Sequence, residues 1–486
     1  MALKFIDPIS GEQIGSTSLG RAVLSAAMSN LDSSLSNSLS NQPDWRKTYQ
    51  SAFACVAQAE FSSSTSMLEV ATQGLIEFES RVVTESGELL VDAVRNAWRL
   101  SKDLVATVVI KGSGEKLIPK VCGTETLEQM TQKHMAESGI IAAINDLDKS
   151  RVDEDLLIAL AGGAEYSPSR PWLDWGGSVA IVARPRVELW QELISRARYS
   201  AGTLYVPVLK SKLKGADSQT LDDDELARIA GLDLVNDFEA ASGWLATLAR
   251  TETRRIVLGS YAYAPGAKHI EVQAVQHCLG RVMTESLPKS RVVLTWLATP
   301  TDSHVVPVEF AEDIKSRFAS RSLLTKFRDF FYGARENKPT LFTNANGIAL
   351  ALIDPSSSVQ GSSYALAKRV QRWMAYQQQA AGRKVIYLVS PPAYTDSVLS
   401  YRILRASYHG APHFGLFPYK TDVAISLATC LLLSELSSPI AVDKSNPTAI
   451  FSRLAVHAGL WRSIYKPSDL WRISTVRGIL GYFKKA

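Results

Sequence analysis

Cysteine is scarce in this sequence, and its spacing gives no sign of a metal site or a disulfide framework. The 486 residues contain four cysteines with no C-x-x-C pair among them: Cys55, Cys122, Cys278 and Cys430. Zinc sites and small disulfide scaffolds both depend on closely spaced cysteine or histidine residues. We therefore expect no metal centre, reduced thiols and a cytoplasmic location.

Strong net charge and long apolar runs are also missing. The formal net charge is +5 and no run of Lys and Arg is present, so nucleic-acid binding is not expected. The longest apolar candidate, residues 423–433, is shorter than the roughly 18 residues of a membrane-spanning helix and predicts a buried helix. The first residues, MALKFIDPISGEQ, lack the apolar stretch of a secretory signal.

Residues 1–150 are predicted to form a helical N-terminal region. Its first part, to about residue 70, is rich in Ser, Asn and Gln, which predicts that part of this stretch is loosely ordered. From residue 67 to 148 the apolar residues recur at helical spacing, as in LLVDAVRNAWRLSKDLVATVV. This pattern does not indicate a function for the region.

Residues 151–435 show the pattern of an α/β domain with a doubly wound parallel sheet. Short apolar runs alternate with amphipathic segments: LLIALAG, SVAIVAR, GTLYVPV, RRIVLGSY, RVVLTWLA, GIALALID and RKVIYLV. Such runs are typical of parallel strands that helices cover on both faces. Residues 436–486 form a basic, amphipathic extension, predicted to be a short helix that packs on the protein or rests on a membrane surface.

Two features of the first strands indicate a dinucleotide site. The first strand runs into Gly162-Gly163, and a glycine turn before a helix lets backbone N–H groups approach a pyrophosphate. The second strand ends at Arg184-Pro185-Arg186, where an NAD site would place an acid, and arginine suits the 2′-phosphate of NADP. The glycine pattern is incomplete, because Tyr166 or Ser167 stands where a later glycine is expected. A tight turn without a ligand is the alternative.

Tyr364 and Lys368 are the main catalytic candidates. They are four residues apart, so they share one face of a helix that follows a Ser-rich loop. The ammonium group is expected to lower the pKa of the phenol and to make Tyr364 a usable acid. The next strand ends at Ser390-Pro391-Pro392.

This arrangement resembles the short-chain dehydrogenase/reductase family, a Rossmann-like family with a Y-x-x-x-K helix. The GGA turn, the AGTLYVPV stretch and the QRW after Lys368 resemble, more loosely, the ketoreductase region of type I fatty-acid synthases. The resemblance covers about residues 155 to 435 and implies NADPH-dependent reduction of a ketone, such as a 3-oxoacyl or lipid-like substrate. It implies that Tyr364 protonates the carbonyl oxygen and that Lys368 holds the nicotinamide ribose.

The resemblance also assigns the remaining site residues. In the family, a serine after the preceding strand polarises the substrate. This serine has no clear equivalent here, and the candidates for its position are Asp354, Ser356 and Ser358. The implied contacts with NADP(H) come from Gly162, Gly163, Ser167, Arg184, Arg186, Lys368 and Pro391.

Other readings of the sequence stay open. The incomplete glycine loop favours a catalytically degenerate Rossmann scaffold that acts as an interaction or assembly protein, and a lyase or isomerase could use the same fold. Tyr261 and Lys268 form an alternative Tyr/Lys pair, although Pro265-Gly266 between them interrupts a helix. His409 and His413 lack a third metal ligand. A homo-oligomer or a larger complex is compatible with all of these readings.

Overall fold

The computed structural model describes residues 3–147, 152–215, 217–218, 220–357, 360–437 and 447–483. The described strands are β1 (Lys4–Phe5), β2 (Val82–Val83), β3 (Val105–Lys111), β4 (Asp155–Leu160), β5 (Ser178–Val182), β6 (Thr203–Leu209), β7 (Arg255–Ser260), β8 (Val292–Ala298), β9 (His304–Pro307), β10 (Thr340–Thr343), β11 (Ala349–Ile353) and β12 (Val385–Val389).

Helices connect most of these strands. The described α-helices are α1 (Ser16–Met28), α2 (Ser33–Ser40), α3 (Trp45–Ala59), α4 (Ser66–Ser80), α5 (Leu90–Leu100), α6 (Leu127–Gln132), α7 (Gly139–Asn145), α8 (Ser169–Asp174), α9 (Val187–Tyr199), α10 (Lys210–Leu213), α11 (Asp223–Ile229), α12 (Phe238–Thr251), α13 (Lys268–Ser286), α14 (Glu309–Ala319), α15 (Leu323–Tyr332), α16 (Ser362–Ala380), α17 (Asp396–Ser400), α18 (Arg402–Gly410), α19 (Thr421–Ser437), α20 (Ala449–Ser452) and α21 (Pro467–Phe483).

The main sheet has seven strands in the order β12-β8-β7-β4-β5-β6-β3. Neighbours among the first six strands are parallel, and β3 pairs antiparallel with β6 at one edge. The predicted α/β class with a parallel sheet is therefore confirmed at this level. The prediction of a helix through residues 101–111 is wrong. The β-branched run VATVVIK favours a strand, and β3 pairs with β6 at the edge of the sheet.

The run GIALALID does not belong to the main sheet. It forms β11, which pairs antiparallel with β9 and β10 in a separate three-stranded sheet. The prediction that all seven apolar runs build one parallel sheet is wrong at this point, since a local pattern identifies a strand but not its partners. Residues 304–361 are consequently an insertion between β8 and the helix that carries Tyr364.

Helices cover both faces of the main sheet. Alternate residues of β4 enter two apolar clusters, with Leu156 and Ile158 in one and Leu157 and Ala159 in the other. The first cluster includes α12, α13 and α16, and the second includes α8, α9 and α19. The run at 423–433 lies within α19 and is buried, as predicted. No helix in the described part of the chain is long and apolar enough to cross a membrane.

The N-terminal helices pack on the first face of the sheet. Buried residues of α1, α3, α4 and α5 belong to the same cluster as α16. A buried ionic cluster reinforces this contact: Arg369 donates to Glu60 (2.7 Å) and Asp302 (3.3 Å), and Arg372 donates to Asp302 (2.7 Å). The N-terminal helices therefore share one core with the sheet, while the domain limits at residues 150 and 435 stay predictions.

Candidate active site

Tyr364 and Lys368 lie on the first two turns of α16. The helix begins after Gly361, whose φ of +79° favours glycine, and its buried side carries Leu366 and Val370. The Lys368 ammonium lies 5.7 Å from the centre of the Tyr364 ring, so the two side chains share one face as the spacing predicts.

Thr299, which directly follows β8, lines the same pocket as Tyr364. Thr299 Oγ1 lies 2.7 Å from Thr301 Oγ1, which in turn lies 2.7 Å from Gln360 Oε1. Burial raises the pKa of Tyr364 above its ordinary value, and the hydrogen bond with Thr299 only partly opposes this. The predicted lowering of the phenol pKa by Lys368 is therefore wrong, because desolvation has the larger effect.

Lys368 is engaged by protein groups of the core. Its ammonium donates to the Leu297 carbonyl (3.0 Å) and to Gln371 Oε1 (3.2 Å). Gln371 donates to Gln273 (2.7 Å), and Gln276 donates to the same Gln273 oxygen (3.3 Å). Burial lowers the pKa of Lys368 to about 8. This chain of glutamines was not predicted from the sequence, because its members are spread over α13 and α16.

A pocket of about 310 Å³, including its open mouth, lies beside Tyr364. Thr299, Thr301 and Ser356 line it from the sheet side. Helix α3 closes the opposite side with Tyr49, Gln50 and Phe53. Gln50 Nε2 donates to Ser356 Oγ (3.0 Å), so the N-terminal helices form one wall of the candidate site.

The three candidates for the family's serine have different positions. Ser356 lines the pocket with Tyr364, whereas Asp354 accepts a hydrogen bond from Ser303 Oγ (2.9 Å) and is not among the pocket residues. Ser358 lies outside the described residues. Burial raises the pKa of Asp354, which its hydrogen bonds with serines partly oppose. Thr299, which is not among the residues predicted from the sequence, is a further hydroxyl in the pocket beside Tyr364.

The glycine turn after β4 is filled by protein atoms. A Cβ on Gly162 would approach the Ile181 side chain to 2.8 Å, and one on Gly163 would approach the Leu189 side chain to 2.6 Å. Both glycines are therefore required for close packing on β5 and α9. Ser167 is fully buried, and its Oγ lies 2.7 Å from Ser169 Oγ.

Tyr166 crosses the carboxyl edge of the sheet. Its hydroxyl donates to the Pro391 carbonyl (2.8 Å), which joins the turn after β4 to the loop after β12. Beside it, Asp396 N–H donates to Glu165 Oε1 (3.0 Å). Gly162, Gly163 and Ser167 thus belong to the turn that Tyr166 joins to Pro391. A dinucleotide bound over this turn would compete with that contact, and the binding of NADP(H) stays a prediction.

Arg184 and Arg186 lie apart from the filled turn. Both side chains are exposed beyond the carboxyl end of β5, and neither forms an ion pair with a described residue. They are free to bind an anion, although nothing in their geometry selects a 2′-phosphate.

The other candidates contribute no second site. Tyr261 is buried in the cluster on the sheet face opposite Tyr364, which separates it from the pocket. His413 is exposed, and His409 lies against the Tyr394 ring (5.8 Å between centres). In the described part of the chain, no group of His, Cys, Asp and Glu has the arrangement of a metal site.

The chain matches no family model and no curated protein. The resemblance to short-chain dehydrogenases therefore stays a prediction.

Proposed function

We propose that this chain is a Rossmann-like protein of the short-chain-dehydrogenase type that acts as an interaction scaffold, its nucleotide cleft closed by its own side chains. The strand order β6-β5-β4-β7-β8-β12 corresponds to the order 3-2-1-4-5-6 of the doubly wound fold. In such folds, ligands bind outside the carboxyl ends of the strands, where the order reverses. That place lies between β4 and β7, next to Tyr166.

The hydrogen bond between Tyr166 and Pro391 carries this proposal. In nucleotide-binding members of the fold, glycine lets the backbone approach the pyrophosphate. A partly buried tyrosine in this turn would compete with the phosphates and the adjoining ribose for the space beside the turn. Its hydroxyl has a partner in the protein, so its displacement would leave the Pro391 carbonyl without this donor.

The second candidate is the NADPH-dependent reduction of a ketone. Thr299, Tyr364 and Lys368 favour it, because a hydroxyl and a phenol line one pocket and an ammonium group lies 5.7 Å from the centre of the phenol ring. In this alternative Tyr364 would donate its proton to the carbonyl oxygen. The raised pKa of Tyr364 and the contacts of Lys368 with Leu297 and Gln371 count against it.

A cofactor titration separates the two candidates. Trp172 and Trp175 follow the glycine turn and report on its surroundings by fluorescence. For the scaffold, the fluorescence of the wild type, corrected for absorption by the cofactor, stays unchanged with NADPH or NADH up to about millimolar concentration, the upper range of ordinary Michaelis constants.

Two variants complete the test. Tyr166→Ala removes the ring from the cleft, and Tyr199→Ala is its control, since Tyr199 is 83% exposed on α9. NADPH binding that appears in Tyr166→Ala alone supports closure by Tyr166. Saturable NADPH binding by the wild type overturns the scaffold proposal and leaves the reductase.

A further inference from the structure

Helix α15 has an inverted distribution of polar and apolar residues. On its inner side, buried Asp329 is held by Arg321 (2.6 Å) and Arg328 (2.8 Å) and accepts a hydrogen bond from the Tyr465 hydroxyl (3.1 Å). The outer side carries large apolar residues, most of whose surface is exposed: Leu323 84%, Leu324 83%, Phe327 65%, Phe330 80% and Phe331 70%. A helix that belongs only to a soluble core shows the opposite arrangement.

These five side chains form one continuous surface. Leu323, Phe327 and Phe330 follow the spacing i, i+4, i+7, and Leu324 and Phe331 extend the stripe on either side. The Phe327 and Phe331 rings touch, with centres 4.7 Å apart. Isolated exposed apolar residues are ordinary on protein surfaces, whereas a contiguous patch of this kind indicates a binding surface.

The apolar surface continues toward the C-terminal helix. Arg472 of α21 donates to the carbonyls of Tyr332 (3.2 Å) and Gly333 (3.0 Å) at the end of α15. Val476 and Ile479 lie on the same face of α21 as Arg472, and both are 44% exposed. The two helices thus join their exposed faces at Arg472.

The exposed charges that α15 and the described part of α21 themselves carry are positive. Lys326 of α15 and Arg472 of α21 are exposed. The acids of α15 and of the described part of α21, Asp329 and Asp469, are buried and paired with arginines. Helices that rest in the interface of anionic membranes combine Phe and Leu with Lys and Arg in this way.

We infer that α15 and the exposed face of α21 dock the protein on an anionic membrane surface. A second copy of the chain is a poorer occupant, because a symmetric contact over this patch would bring like charges of Lys326 and Arg472 together. This inference names a partner for the proposed scaffold, but it depends on a different face of the molecule. The nucleotide titration does not test it.

Vesicle co-sedimentation of the full-length protein tests the inference. The probes are vesicles of equal parts phosphatidylglycerol and phosphatidylcholine, and vesicles of phosphatidylcholine alone. We expect binding to the anionic vesicles at about 0.1 M salt and much weaker binding at about 1 M salt, where the charges are screened. Replacing both Phe330 and Phe331 by Ser should weaken binding by about tenfold or more, since the apolar contact is lost.

Matched variants make the result specific. Ile9→Ser with Ile118→Ser removes two side chains that are 95% and 74% exposed elsewhere, and it should bind like the wild type. Lys326→Glu should lose several-fold in affinity for anionic vesicles. Equal binding by the wild type and the Phe330/Phe331 variant, or no binding by either, overturns the inference. A further result would also overturn it: a wild type that sediments as a dimer and a Phe330/Phe331 variant that sediments as a monomer. That result would assign the patch to a second copy of the chain.

Discussion

The indole of Trp373 lies directly over Gly74, so close that a Cβ on residue 74 would approach the ring to 2.2 Å. Gly74 belongs to α4 and Trp373 to α16, so this contact fixes the N-terminal helices against the sheet domain. Trp373 is fully buried, and its indole N–H donates to Glu60 (2.9 Å). This hydrogen bond and the surrounding core hold the ring in place, so it has little room to move away from a larger side chain at position 74.

Gly74→Ala is expected to destabilise the protein. Overpacking a core typically costs ~1–3 kcal/mol, which exceeds the gain of up to ~1 kcal/mol from replacing a helical glycine by alanine. Urea unfolding measures the difference. The control is Gly280→Ala in α13, where the nearest atom to a new Cβ is 3.8 Å away and the substitution should be neutral or stabilising. Equal unfolding midpoints for both variants would mean that Trp373 moves aside freely.

A fragment of residues 151–435 is expected not to fold alone. It lacks β3, which covers the sheet edge at β6, and the N-terminal helices that cover α16. We expect weak near-ultraviolet circular dichroism and binding of a hydrophobic dye. A cooperative unfolding transition of the fragment by itself would establish the predicted domain limits and contradict this expectation.

Glu60→Gln should cost about 3–5 kcal/mol of unfolding free energy. The change leaves Arg369 and Arg372 buried with Asp302 as their remaining acid, and breaking a buried ion pair typically has this cost. Chemical denaturation provides the measurement. Asp44→Asn is the control, because its pair with Lys47 is largely exposed and is worth at most about 1 kcal/mol. A loss no larger than that of the control would show that water reaches the cluster.

Stability should fall in acid as Glu137 takes up a proton. Burial by itself would raise the pKa of Glu137, but hydrogen bonds from Arg462 and His457 outweigh it and lower the pKa from 4.5 to about 2. This depressed pKa contributes stability that is present above pH 4.5 and is lost as the pH falls toward 2, up to about 3 kcal/mol. Unfolding free energy measured across this range tests the expectation. In Glu137→Gln, the unfolding free energy should change less steeply with pH. An unchanged slope would mean that other carboxylates cause the loss of stability in acid.

Tyr364→Phe should have a structural effect and no catalytic one. Tyr364 and Thr299 line the same pocket, and a double-mutant cycle of Tyr364→Phe with Thr299→Val should return a coupling of about 1 kcal/mol, the usual value of one hydrogen bond. The wild type should also fail to oxidise NADPH with a panel of 3-oxoacyl thioesters and simple ketones. Turnover by the wild type that Tyr364→Phe abolishes would instead support the reductase.

The sequence predicts the strands well because their apolar runs carry local information. All seven predicted runs are strands, and six of them form the parallel part of the main sheet. Pairing depends on tertiary contacts, so the sequence reasoning placed β11 in the wrong sheet. It missed β3 because the helical spacing of α5 runs directly into the alternating pattern of VATVVIK.

The candidate site was predictable only in part. Tyr364 and Lys368 share a helix, and their spacing determines their common face. Thr299 is distant in sequence because the insertion 304–361 separates it from α16, although its place after a buried strand was a usable signal. The proposed closure of the cleft rests on the hydrogen bond from Tyr166 to the Pro391 carbonyl, 225 residues away, which no local pattern reveals.

The ion pair between Glu60 and Arg369 also bears on how the chain is made. The two residues are 309 positions apart. At ~5–20 residues per second, a ribosome that has placed Glu60 needs about 15–60 s to reach its partner. During that time the helices of the first hundred residues lack the surface on which they pack. Native packing of this half can therefore be completed only after most of the chain has been synthesised.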